Sequence, residues 1–179
     1  MTPQDVFLQV LDSGDMLLRA YTGDMSDADL LVRSVPGSNH AAWQLGHLLV
    51  GTSHMLTALG RPAIELPEGF AAAHSKETSA SDDPARFAKK AEYLALLDKA
   101  KSAIRAAIET TPDANLDAPG PEAMREFAPT VGAVLTMLGG HWLMHSGQLV
   151  PIRRKLGRPE LCVKVERIEE LFGGFDFDR

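Results

Sequence analysis

His141 and His145, in the stretch Gly140-His141-Trp142-Leu143-Met144-His145-Ser146-Gly147-Gln148, are two imidazoles four positions apart inside a long apolar run. On a helix they leave the same face one turn apart, with roughly 6 Å between their Cβ atoms, a spacing at which two histidines can share one metal ion. A pair alone binds weakly, so the chemistry turns on a third ligand. His40, His47 and His54 recur at intervals of seven in a second apolar segment, with Trp43, Val50 and Gly51 on the same stripe. Their rings therefore project in similar directions. Seven residues rise about 10.5 Å, so at most one of the three reaches the point that His141 and His145 share. The mid-helix position of His47 favours it. His40 stands near the helix start and His54 near its end, where solvent exposure is the ordinary state of a histidine. The plainer alternative for the pair is that each ring bonds a backbone carbonyl, since a buried imidazole needs some partner.

The elements that must position these rings are helices. On a helical wheel Val134, Met137, Leu138, His141, His145, Gln148 and Ile152 fall in one stripe, so the histidines face inward. Gly132, Gly139, Gly140 and Gly147 lie on a different side, where a neighbouring helix can come close. Trp142, about 100° round from His141, packs beside the site. Gln148, one turn beyond His145, either orients a ligand or ties helices together as a buried amide.

The chain opens with Thr2, Pro3 and Asp5, a cap, a first-turn proline and a first-turn carboxylate, which predict a helix to about Tyr21 with Gly23 ending it. A short helical turn is expected over Ser26 to Leu31, then a second helix from the Ser38-Asn39 caps to about Leu59. Asp83-Pro84 predicts the start of a third helix, with Phe87, Ala91, Leu94, Leu97, Ile104 and Ile108 on its buried face, and Thr111-Pro112 its end. Thr130 caps a fourth that ends near Arg153, Arg154 and Lys155, interrupted by Pro151. Val165, Ile168, Leu171 and Phe172 suggest a short fifth helix that covers a bundle end or meets a partner subunit. No alternation of period two and no repeat appears, so the fold class is all-α. Four long helices with two long crossover connections fit a four-helix bundle in which some sequential neighbours run parallel.

At 179 residues and 45% hydrophobic, the chain makes one domain, 1–179, with a core over about 2–158 and an extension over 159–179. Acidic residues outnumber basic ones, 24 to 18, giving a formal charge of −6 that disfavours nucleic acid and anionic membranes as partners. The single cysteine, Cys162, forms no internal bridge, and Met1-Thr2-Pro3-Gln4-Asp5 lacks the basic start and apolar core of a signal peptide, so a cytoplasmic protein is expected. Even the most apolar window, Val131 to Ile152, is broken by His141, His145 and Gln148.

Asn39-His40-Ala41-Ala42-Trp43-Gln44-Leu45-Gly46-His47-Leu48, followed further along by His141-Trp142-Leu143-Met144-His145-Ser146-Gly147-Gln148-Leu149, resembles the DinB-like superfamily. The similarity extends from the first helix to Gly157-Arg158-Pro159. It rests on a tryptophan and a glycine before one histidine and a His-x-x-x-His-x-Gly-Gln on the last core helix. The superfamily includes proteins described as metal-dependent hydrolases and bacterial thiol transferases. The resemblance implies a bundle in up-down-down-up order, a homodimer, and a divalent metal such as zinc or nickel held by His47, His141 and His145. Ser146 stands where many members carry arginine.

Three imidazoles and a divalent ion would leave an open coordination position, the arrangement of catalytic rather than structural zinc. All-nitrogen ligation suits zinc, nickel, copper or iron and discourages magnesium and calcium. The reaction class is then hydrolysis or thiol transfer on a small molecule, with a low-molecular-weight thiol among the candidate substrates. Glu92 is expected near solvent and His74 exposed in a loop, so neither they nor Tyr93 is assigned as a general base, while His54 remains a candidate acid or base beyond the ligands. A second reading is a metal- or small-molecule-binding stress-response module without turnover. The carboxylates Asp176 and Asp178 belong to a terminal tail rather than to chemistry.

Overall fold

The computed structural model describes residues 1–158. Five α-helices form among them: α1 (Pro3–Thr22), α2 (Ala41–Ala58), the single turn α3 (Phe70–Ala73), α4 (Lys90–Glu109) and α5 (Val131–Lys155). No strand forms among the described residues, and Pro119 and Thr130 make one isolated antiparallel bridge. The expected helix around Val165 to Phe172, together with Cys162, Asp176 and Asp178, lies outside the described residues.

The order of the four long helices can be read from contacts at their ends. Gln4 donates to the Thr111 carbonyl (3.1 Å) and Lys90 to that of Met25 (2.6 Å), so α1 and α4 are antiparallel. Arg153 donates to the Tyr21 carbonyl (2.7 Å) while Gly139 faces Leu11, so α1 and α5 run parallel. Trp142 pairs with Thr52 and His145 with Gln44, which sets α5 against α2 in the opposite sense. The His40 and Phe87 rings meet at 4.6 Å at one end, and Arg61 donates to Thr111 (3.1 Å) at the other, so α2 and α4 are parallel. The bundle is up-down-down-up: the connection from α2 to α4 carries the one crossover between sequential long helices, while the long 110–130 connection joins antiparallel helices.

The parallel α1–α5 pair is the most closely packed. A Cβ on Gly139 would lie 2.8 Å from the Leu11 amide nitrogen, and one on Gly14 would lie 2.8 Å from Trp142 Cβ. Gly140 and Gly147 face open space, so only part of the glycine stripe serves helix contact. Between the helices lies a continuous apolar core that includes Leu11, Leu45, Leu48, Leu97, Ile104 and Leu138, each fully buried. No described helix is long and apolar enough to cross a membrane.

α1 and α5 start where their expected caps put them, whereas α2 is capped by His40 and not by Ser38 or Asn39. Thr2 accepts from the Asp5 amide (3.2 Å) and Asp5 from the Thr2 amide (2.7 Å), a reciprocal cap with Pro3 in the first turn. Thr130 accepts from Ala133 (3.1 Å). The third long helix differs. Asp83 caps only the 3₁₀ turn Pro84–Arg86, the chain then extends through Phe87, and α4 begins at Lys90, with Glu92 accepting from the Lys89 amide (2.9 Å). Phe87 is buried against the His40 and His74 rings, which a helix continuing from Pro84 would not deliver, and Ala91, expected inside, is exposed. Gly23 has φ −56°, a right-handed conformation, so it closes α1 without serving as a left-handed cap.

Candidate metal centre

α2 and α5 cross at mid-bundle, and there His47 meets His141 and His145. One ring nitrogen from each lies within 4.8 Å of the others. His145 Nε2 is 3.1 Å from His141 Nε2, and the His47 ring centroid stands 5.3 Å and 5.2 Å from those of His141 and His145. His145 is buried, and the other two rings are half-buried.

The neighbours of this cluster determine which atoms are free. Gln44 Nε2 donates to the Asn39 carbonyl (2.9 Å), which turns its Oε1 toward His145 Nδ1 (3.3 Å). A carboxamide oxygen only accepts, so His145 carries its proton on Nδ1 and its Nε2 lone pair is bare. That lone pair faces His141 Nε2. His141 Nδ1, in turn, is buried without a hydrogen-bond partner. Whichever nitrogen of His141 bears the proton, Nδ1 stays unsatisfied, at a cost of about 1–3 kcal/mol. A proton on His141 Nε2 can bridge the two rings, and a cation drawing on both Nε2 lone pairs can take its place; Nδ1 is orphaned in either case. At Zn–N of about 2.0–2.1 Å, a tetrahedral centre separates two ligand nitrogens by about 3.3 Å, close to the separation of the two Nε2 atoms.

Burial, reinforced by the neighbouring rings, pushes His145 down to about 3 and His141 down to about 4, and burial lowers His47 as well. All three imidazoles are therefore neutral at pH 7, the form that ligates. Trp43 lies flat on His47, with centroids 4.9 Å apart and planes 9° from parallel. Its indole N–H donates to the Ser75 carbonyl (3.0 Å), so the long connection after α2 fixes the tryptophan and the tryptophan fixes the ligand ring.

The remaining candidates separate. His54 is exposed and lines the cavity beside His47. Gln148 is exposed, and the amide that bonds a site histidine is Gln44. Gln44 stands three positions before His47 on an otherwise apolar segment, and that polar exception was its signal in the sequence. His40 is fully buried rather than exposed: Nδ1 accepts from the Trp43 amide (3.0 Å) as the N-cap of α2, and Nε2 donates to the Ser81 carbonyl (3.0 Å). His74 is buried too, 2% exposed. Its Nδ1 donates to the Phe70 carbonyl (2.7 Å) and its Nε2 accepts from Tyr93 Oη (2.6 Å). The ring seats against Gly46, where a Cβ would fall 1.9 Å from His74 Cδ2. Nothing in its local sequence announces this, although a glycine next to His47 marks a close approach. With both nitrogens engaged, His74 is no free base, and burial drives the Tyr93 phenol far above its ordinary range.

A profile of the DinB superfamily matches residues 11–149, more than half of the chain. No protein of curated function matches the sequence significantly. Among solved structures, a conserved protein from Enterococcus faecalis superposes with a TM-score of 0.70 at 16% identity, covering 88% of this chain and 99% of its own. YfiT from Bacillus subtilis, described as "a probable metal-dependent hydrolase with an unusual four-helix bundle topology", superposes with a TM-score of 0.61 at 20% identity, covering 87% of this chain and 89% of its own. At such identities these two likenesses speak to the fold. On the match over residues 11–149, the chain belongs to the DinB superfamily.

Proposed function

We propose that the protein is a metal-dependent enzyme, a hydrolase or a thiol S-transferase of small molecules, in which His47, His141 and His145 hold one divalent ion, zinc or nickel. The observation that carries this reading is the convergence of three neutral imidazoles from two helices on one point. When bound, such an ion supplies a Lewis acid that lowers the pKa of a water or thiol and polarises a carbonyl. The residues of the chain do the rest. Gln44 fixes the His145 tautomer, Trp43 holds the His47 ring and shields it from water, and burial keeps the rings unprotonated. Three protein ligands leave a coordination position for a reactant. A charge of −6 suits a small-molecule partner better than a nucleic acid or an anionic membrane, and a cytoplasmic homodimer completes the proposal.

Elemental analysis of freshly purified protein tests the reading. About one equivalent of zinc or nickel per chain is expected, and less than a tenth of that in His47→Ala. Metal-free protein that takes up no divalent ion on dialysis, or a His47→Ala variant that retains it fully, contradicts the reading.

A further inference from the structure

Beside the three histidines, on the outer side of α2, lies a cavity of about 490 Å³, within the size range of small-ligand pockets. Its inner wall is formed by Trp43, His47, Val50 and Gly51, and its outer wall by the segment around Ala71 and Ser75. Gly51 is the side on which the cavity adjoins His141: a Cβ there would lie 3.3 Å from His141 Cε1. The cavity thus touches a candidate ligand directly and a second across one missing side chain, while its apolar walls lead away from both.

The outer wall is fastened rather than draped. His74 ties it to the Phe70 carbonyl and to Tyr93 of α4, and its ring sits in the notch that Gly46 leaves in α2. The Tyr93 hydroxyl is fixed in turn by the Ala88 amide (3.3 Å). Next along the chain, Ser75 accepts from the Trp43 indole, and Thr78 donates to the Ala73 carbonyl (2.9 Å). A wall pinned at both α2 and α4 cannot collapse onto Val50 and Gly51, so the cavity is preformed and its apolar surface is available to a ligand at little ordering cost. A second cavity, about 360 Å³, is lined by Asp27, Leu31, Ala42 and Phe87 and reaches none of the three histidines.

We propose that the cavity between α2 and the 70–76 segment takes the compact apolar body, aromatic or branched alkyl, of a small substrate whose reactive head lies at the three histidines. The position of that head rests on the metal-dependent reading above, whereas the cavity's preference for an apolar body does not. The polar residues His54 and Lys76 on its lining are exposed, while Trp43, Val50, Gly51 and Ala71 supply apolar surface and the buried His74 ring has both nitrogens engaged elsewhere.

Two thiols of similar acidity and different bulk, 2-mercaptoethanol and benzyl mercaptan, are the probes, titrated into cobalt-loaded protein and followed by the cobalt absorption band. The benzyl compound is expected to bind roughly ten- to a hundredfold more tightly, the gain from burying a phenyl-sized group. In Ala71→Trp, which adds bulk to the outer wall of the cavity from an exposed position that makes no contact with a ring nitrogen, that advantage is expected to fall below threefold while the smaller 2-mercaptoethanol binds as before. Equal affinities in the unaltered protein, or an advantage that survives Ala71→Trp, overturn the proposal. Benzyl alcohol added to metal-free protein separates this from the metal reading: the Trp43 indole and Gly51 amide NMR signals are expected to shift. No shift overturns the cavity proposal whether or not metal binds, and failure to take up cobalt overturns the metal reading alone.

Discussion

Gln44 carries two hydrogen bonds whose polarity decides the chemistry of His145. The Asn39 carbonyl can only accept, which commits the amide nitrogen to it and the amide oxygen to the imidazole, and His145 is left with a bare nitrogen aimed at His141. Orienting partners of this kind are typically worth ten- to a hundredfold in metal affinity. Gln44→Leu is therefore expected to weaken zinc binding by that factor in a chelator competition, with the helical circular-dichroism spectrum unchanged. Unaltered affinity contradicts the assignment. At this scale the sequence disclosed the pair His141 and His145 through spacing alone, and helix register favoured His47 as the third ring. It pointed to Gln148 for the amide, because Gln148 shares a stripe with the pair. A stripe records direction but not distance, and Gln148 is exposed while the nearer amide comes from the other helix. Buried His74 was illegible for a related reason: its partners, Phe70, Tyr93 and Gly46, come together only once the loop has folded back.

α2 depends on His40 at its first turn. The ring caps the helix through Trp43 and holds the Ser81 carbonyl, so Trp43 and His47, about one and two turns on, inherit their positions from it. His40→Ala is expected to lower stability by about 1–3 kcal/mol in urea unfolding, from loss of the cap, about 1 kcal/mol, and of the bond to the half-buried Ser81 carbonyl. The pH dependence has a definite sign. Burial lowers the pKa of His40 in the folded chain, so the unfolded chain takes up the proton first as pH falls through about 6.5. Its contribution to stability is complete above that pH and is lost progressively below it. His40→Asn, which keeps a capping oxygen and removes the titrating ring, should lose less stability between pH 7.5 and pH 5.5 than the unaltered protein. An identical loss contradicts this role. Helix existence and the starts of α1 and α5 were readable from caps and periodicity, while the cap of α2 fell on His40 rather than on the expected Ser38 or Asn39. The displaced start of α4 was not readable, because Asp83-Pro84 is as good a cap for a 3₁₀ turn as for a helix and the burial of Phe87 decides between them.

Across the whole molecule, the up-down-down-up order makes the site. It sets α5 antiparallel to α2, so that His47 and His141 meet at the same height, and it requires a long connection after α2 that becomes the outer wall of the adjoining cavity. The four helical patterns and the connection lengths made the bundle class and the presence of parallel neighbours legible in advance. The close α1–α5 packing through Gly14 and Gly139 was only hinted at by the glycine stripe, since Gly140 and Gly147 on the same side face open space. The most direct measurement is an anomalous-scattering map from a crystal of zinc-loaded protein. A single peak is expected at about 2.0–2.1 Å from one nitrogen each of His47, His141 and His145, with Gln44 still on His145. A peak bound elsewhere, or zinc held by the α5 pair with His47 turned away, would contradict the convergence of the three rings on one ion.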